Sequence, residues 1–222
     1  MNYVWDFAIL TKYTRLFVSG VGWTLAYTLG TVLLGTLIGL VVGILRLNKW
    51  RALQWPLIAY VEVFRCTPLL VQIIWFYYAF PVLIGVNIPA HAAAIAVLSL
   101  YGGAFYAEIF RGGIQSLERG QWDAAKALGL RGWLVMRLVI LPQAVRRMLP
   151  PYVNQSITQL KNTSLVSVIA VPDLVYNATL INADTYRPLE VYTVVAVIYF
   201  LILFPATLIA QRLEKSLAHD RA

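Results

Sequence analysis

One cysteine, two histidines and few charges are all that this chain of 222 residues offers to reactive chemistry. A single cysteine excludes an intrachain disulfide and any cysteine-based metal cluster, and Cys66 reads as a packing residue. His91 and His219 stand alone, without cysteines or carboxylates clustered beside them, so no metal site is expected. No nucleophile and base arrangement occurs, nor a glycine-rich phosphate loop ending in Lys and Ser or Thr. Catalysis by this chain, ATP hydrolysis included, is therefore not expected.

Charge is scarce too. Only 13% of the residues are charged while 60% are hydrophobic, with a mean hydropathy of +0.70, which is too little charge to coat a water-soluble globule. The sequence reads as an all-α integral membrane protein. What charge there is leans one way, 18 Lys and Arg against 10 Asp and Glu, a net +8. Confined to short segments between apolar runs, it suits anionic headgroups or an acidic protein surface better than nucleic acid.

Long apolar runs are what the sequence has in abundance. No charged residue occurs from Leu16 to Leu45, and a helix needs about 20 apolar residues to cross a bilayer. Five spans are expected, at about 21–45, 54–80, 91–111, 150–171 and 190–211, in a transmembrane domain of 20–212. Pro56 opens the second and Pro68 interrupts it. The first run is too long for a signal-peptide core, and Asp6 stands where such a peptide is basic. Residues 1–19 mix aromatics with Asp6, Lys12 and Arg15 at helical spacing, as an interfacial helix would, and 213–222 form a tail.

The basic residues choose the sides. Arg46, Lys49 and Arg51 follow the first span, Arg111, Arg119, Lys126, Arg131, Arg137, Arg146 and Arg147 lie between the third and fourth, and Arg212, Lys215 and Arg221 follow the fifth. The opposite side has only Lys12, Arg15 and Arg187. By the positive-inside rule the N-terminus is external, and the C-terminus and the 118–142 loop are cytoplasmic.

That loop contains "GQWDAAKALGLRGWLVMRLVILPQA". Trp122 to Leu128 reads as a short helix, with Asp123 in its first turn and Gly129 just beyond its end. Ala124, Ala125 and Ala127 keep its surface small, while Trp122, Leu128 and Leu130 offer apolar contacts to a partner protein or to headgroups.

The segment resembles the EAA loop of ABC importer permeases. That pattern is an acidic residue, two alanines, a glycine after three more, and then, after nine, an aliphatic, any residue and Leu-Pro. Here it falls on Asp123, Ala124, Ala125, Gly129, Val139, Leu141 and Pro142, with Asp for the commoner Glu and Val for Ile. "YVEVFRCTPLLVQ", "AFYAEIFRGGIQSLERGQWDAA", "LPQAVRRMLPPYVNQ" and "KNTSLVSVIAVPDL" are similar to blocks of the polar amino acid subfamily, the histidine, glutamine and arginine permeases.

The resemblance implies a type I ABC importer (MetI-like) permease fold with a cytoplasmic coupling helix. It implies residence in the bacterial inner membrane as one of two permease subunits, identical or related. It also implies two ATPase subunits that bind ATP and Mg, with no cofactor in this chain, and an extracytoplasmic solute-binding protein. The coupling residues would be Asp123, Ala124, Ala125, Leu128 and Gly129. A secondary carrier or small channel independent of ATP is the alternative, though a carrier usually shows internal repeats and more spans.

Polar residues within spans are the candidates for a transport pathway. Glu62 with Arg65, and Glu108 with Arg111, are spaced to pair on one helix face; the second pair, near the cytoplasmic end, reads as structural, while the first lies deeper and could equally line the lower pathway. Asn154, Thr158 and Lys161 share one helical stripe, with Gln155 and Asn162 beside it, and such polarity belongs against protein or water rather than lipid. Lys161 could hold a substrate carboxylate or neutralise a helix end or acidic residue. Asn162 stands where the subfamily often has an acidic residue, which argues against a purely cationic substrate. Gly35, Gly39 and Gly43, four apart, form a flat strip for packing inside one subunit or between two.

Overall fold

The computed structural model describes residues 3–48 and 50–219, apart from the side chains of 218 and 219. Lys49, Arg221 and the His219 side chain, used or weighed above, lie outside the described residues. A 3-10 turn, Ala8–Tyr13, runs directly into α1, Thr14–Leu45, so the helical path is unbroken through residues 19 and 20. There follow α2, Arg51–Cys66, α3, Leu69–Ile84, α4, Ala90–Gln115, and the short α5, Arg119–Ala127. Then come α6, Gly132–Ile169, α7, Leu174–Thr185, and α8, Pro188–His219.

Among the described residues three helices are long and apolar enough to cross a membrane, and up to five spans result if each of two bent pairs counts as one. The first pair is α2 and α3, which meet at 110°. Its cause is local. Pro68 restricts the residue before it, and Thr67 is extended at φ −111°, ψ 143°. The region 54–80 is therefore a sharply broken span rather than one interrupted rod. The second pair, α6 and α7, bends by 46° where Ala170 turns left-handed and Pro172 follows. Helix α7 has no counterpart among the five expected spans.

Prolines also explain two π-helical stretches. Trp75–Ala79 precedes Pro81, and Val135–Ile140 precedes Pro142. A proline has no N–H to give the carbonyl four residues back, and the widened turn upstream absorbs the mismatch.

The bundle is held together by α1 lying along α4. A side chain at Gly35 would meet the Gly103 backbone nitrogen at 3.2 Å, and one at Gly43 the Ala107 backbone oxygen at 2.8 Å. The glycine strip thus serves packing inside this subunit, of the two roles its spacing allows. Gln159 of α6 is fully buried between these helices, its Nε2 donating to Leu98 O at 2.8 Å and Thr31 Oγ1 at 3.2 Å. By contrast the apolar core of α8 is only 11% buried, as suits a helix facing lipid.

The two ends of the bundle differ in chemistry. At one, the N-terminal segment is tied to the start of α8. Glu190, wholly buried, accepts from the Tyr3 hydroxyl, from Asp6 N at 3.1 Å and from Arg187 Nη1 at 3.1 Å. The bond to this carboxylate pushes the Tyr3 phenol pKa up. His91 Nδ1 meets the Tyr27 hydroxyl at the same end. The other end has α5 and most of the arginines.

Candidate functional site: a coupling helix beneath a polar groove

Helix α5 starts three residues before the expected Trp122, with Glu118 extended at its N-cap. Asp123 is consequently not in its first turn, a correction to the sequence reading. "ERGQ" is polar, and although Gly120 is a poor helix former it is a single residue in the first turn, so nothing in the stretch forces a later start. The C-terminus is where glycine spacing put it. Gly129 has φ +75°, Gly129 N donates to Lys126 O at 2.9 Å, and Leu130 N donates to Ala125 O at 3.2 Å. These two bonds make a Schellman cap.

The faces of α5 are unequal. Ala125 is buried beside Leu117, Val135, Ile140, Ala144 and Met148, with Trp122 and Leu130 packed against the same cluster. Asp123, Ala124 and Gly129 are exposed, and Leu128 is 81% exposed. Gln143 Nε2 donates to Gln121 Oε1 at 3.2 Å and so ties α5 to α6. The helix is thus mounted by one face on the base of α6 and presents the other, where Asp123 and Lys126 flank small residues and Leu128 projects.

Above it lies a groove of about 910 Å³, lined by Arg65 of α2, Phe105 and Glu108 of α4, and Arg147, Asn154 and Thr158 of α6, among others. Glu108 is its electrostatic centre. Arg46 at the end of α1 bonds its carboxylate, Arg111 Nη2 reaches it at 2.6 Å, and Arg65 Nη1 stands at 4.0 Å. Arg147 Nη1 donates to the backbone oxygen and hydroxyl of Ser116.

Of the pathway candidates, Arg65, Asn154 and Thr158 share this groove. Glu62 borders it, half-exposed, with one oxygen 4.0 Å from Arg65. Lys161 is exposed on the same α6 face but does not line the groove, and Asn162 is half-buried beside the Tyr101 hydroxyl. Cys66, expected to pack, is exposed, its thiol 3.5 Å from Glu62 Oε2. The backbone turns extended at Thr67 and leaves it outside.

Arg46 and Arg147 were missed as site residues because both read as loop charges. Local i,i+3 spacing finds Arg111 for Glu108 but is blind to a partner 62 positions away.

Comparison with known proteins gives the arrangement a family. Residues 35–219 match the model of the binding-protein-dependent transport system inner membrane component. The chain is 38% identical over 202 residues to the "Probable amino-acid ABC transporter permease protein YckA" of Bacillus subtilis, covering 91% of this chain and 89% of that one. It is 37% identical over 212 residues to the glutamine transport system permease protein GlnP of Escherichia coli K12, covering 95% and 96%.

Among solved structures, an amino acid ABC transporter with histidines superposes at a TM-score of 0.90, with 37% identity over 96% of this chain and 100% of that one. The MetNI methionine ABC transporter in an inward-facing form matches at 0.69 with 24% identity, over 90% and 97%, a likeness of fold. The chain therefore belongs to the binding-protein-dependent transport system inner membrane components, the permease subunits of ABC importers.

Proposed function

We propose that this permease carries polar amino acids into the cell and is driven by a partner ATPase. The observation that carries the reading is mechanical. Helix α5, which offers Asp123, Ala124, Leu128 and Gly129 outward, is packed on the base of α6, and α6 runs without a break to the polar groove. A push on α5 is a push on one wall of the groove.

In this scheme ATP and Mg are bound by two ATPase subunits, and their closure carries α5 with them. Helices α2 to α6 shift, and the groove exchanges its cytoplasmic opening for an external one. A second permease subunit completes the pathway, and a solute-binding protein delivers the amino acid from outside. The terminus tied to Glu190 is external, and α5 and the C-terminus are cytoplasmic, in a bacterial inner membrane. The names of the relatives, amino-acid and glutamine permeases, support the substrate class.

Two measurements test this. The chain co-expressed with its ATPase and reconstituted in liposomes should accumulate a polar amino acid only when ATP and the loaded binding protein are both present. Uptake persisting without nucleotide would instead mark a carrier or channel. The double variant Asp123→Arg with Gly129→Leu should insert normally yet lose ATPase co-purification and uptake by at least about tenfold, since it reverses a charge and forces a side chain into a left-handed turn. Unchanged association and uptake would refute the role of α5.

A further inference from the structure

Arg65 is placed unlike the arginines around it. Arg46 and Arg111 both bond the Glu108 carboxylate directly. Arg65 stands 4.0 Å from Glu108 and from Glu62, and among the described residues it donates no hydrogen bond. Its guanidinium sits over the Phe105 ring, 5.7 Å from the centroid, a cation–π contact that holds it at the groove while leaving its N–H donors unused.

Across the groove Arg147 is bonded, among the described residues, only to the neutral oxygens of Ser116. Arg65 and Arg147 line the groove with one carboxylate, Glu108, and that carboxylate is already bonded by Arg46 and Arg111, so neither lining guanidinium has a carboxylate bonded to it among the described residues. Asn154 and Thr158 add polar groups on the facing helix, and the volume of about 910 Å³ falls within the roughly 300–1,000 Å³ of small-molecule sites. A planar guanidinium with free donors matches the two oxygens of a carboxylate bidentately.

We infer that Arg65, supported by Arg147, is the receptor in this permease for the α-carboxylate of the transported amino acid, so that the groove reads the group all α-amino acids share. The inference rests on the import reading above. It moves the carboxylate site from Lys161, which does not line the groove, to Arg65, which does.

Cys66 supplies the test, since it is exposed, adjacent to Arg65 and the only cysteine in the sequence. The full permease–ATPase complex in nanodiscs is treated with N-ethylmaleimide, and alkylation of the Cys66 peptide is followed by mass spectrometry. The probes are L-glutamine, L-histidine and L-glutamate, the α-amide of each, and a short-chain phosphatidylglycerol. At least one acid should slow alkylation threefold or more, and its α-amide should need about tenfold higher concentration for half-protection, because it lacks the charge that strengthens the hydrogen bonds.

In Arg65→Gln the difference between acid and amide should vanish, and Arg65→Lys should retain part of it. Equal protection by acid and amide in the unaltered complex overturns the inference and needs no variant to be folded. So does protection by the lipid alone, or by none of the amino acids. ATP-driven uptake by the same purified complex, reconstituted in liposomes with its loaded binding protein, separates the two readings. Uptake with no preference for the acid removes the carboxylate receptor and leaves the importer, whereas absence of uptake removes the importer reading itself.

Discussion

Glu108→Ala is expected to lower the melting temperature of the detergent-solubilised protein by roughly 6–12 °C and to abolish uptake. Removing one member of a buried ion pair costs about 3–5 kcal/mol because the partner charge is left uncompensated. Here the low end, about 3 kcal/mol, applies, since the Glu108 side chain keeps 19% of its exposure, and a chain of this size loses about 2–4 °C per kcal/mol. Arg46, with a side chain only 9% exposed, would be the group most penalised.

The mechanism makes a sharper statement through a double variant. If the cost is stranded charge rather than lost packing, Arg46→Met in the Glu108→Ala background should recover part of the melting temperature, although Arg46→Met alone is harmful. Strict additivity of the two changes would show that the cluster is not acting as an electrostatic unit.

The second large effect is at Gly39. A β-carbon there would lie 2.5 Å from Tyr106 Cβ, 2.9 Å from Ala107 N and 3.0 Å from Gly103 O, and two of the three are backbone atoms that cannot rotate away. Gly39→Ala should cost about 1–3 kcal/mol by forcing α1 and α4 apart, and Gly39→Leu should leave little folded protein on size-exclusion chromatography. Gly30 is the control on the same helix. Nothing lies within 4 Å of its virtual β-carbon, so Gly30→Ala should be neutral or stabilising by about 0.5–1 kcal/mol. Equal losses at both positions would mean that the close approach of the two helices does not hold the bundle.

These two sites also show what a sequence can and cannot disclose. The glycines at intervals of four announce a close helix contact, because small residues on one face have few other uses in a membrane. They do not say which helix fills the strip. Likewise Gly129 marks the end of α5, since few other residues take a left-handed turn without strain, while the helix start, among residues that all tolerate helix, fell three positions early.

Helix α7 stayed hidden for a different reason. At 12 residues it is too short to register as a span, and its start is announced only by Asp173, whose carboxylate accepts from Tyr176 N at 2.7 Å. The groove was legible in part. The stripe of Asn154 and Thr158 follows from helical period alone, but the arginines that line the groove, Arg65 and Arg147, come from α2 and α6, and only the fold brings them together.

The fastening at Glu190 bears on how the chain is made. Asp6 and Glu190 are 184 positions apart, so the carboxylate that Asp6 N bonds is made long after Asp6 itself. At about 5–20 residues per second, roughly ten to forty seconds pass between the two. Throughout that interval Tyr3 and Asp6 are without this partner, and the arrival of α8 ties the start of the N-terminal segment to the bundle.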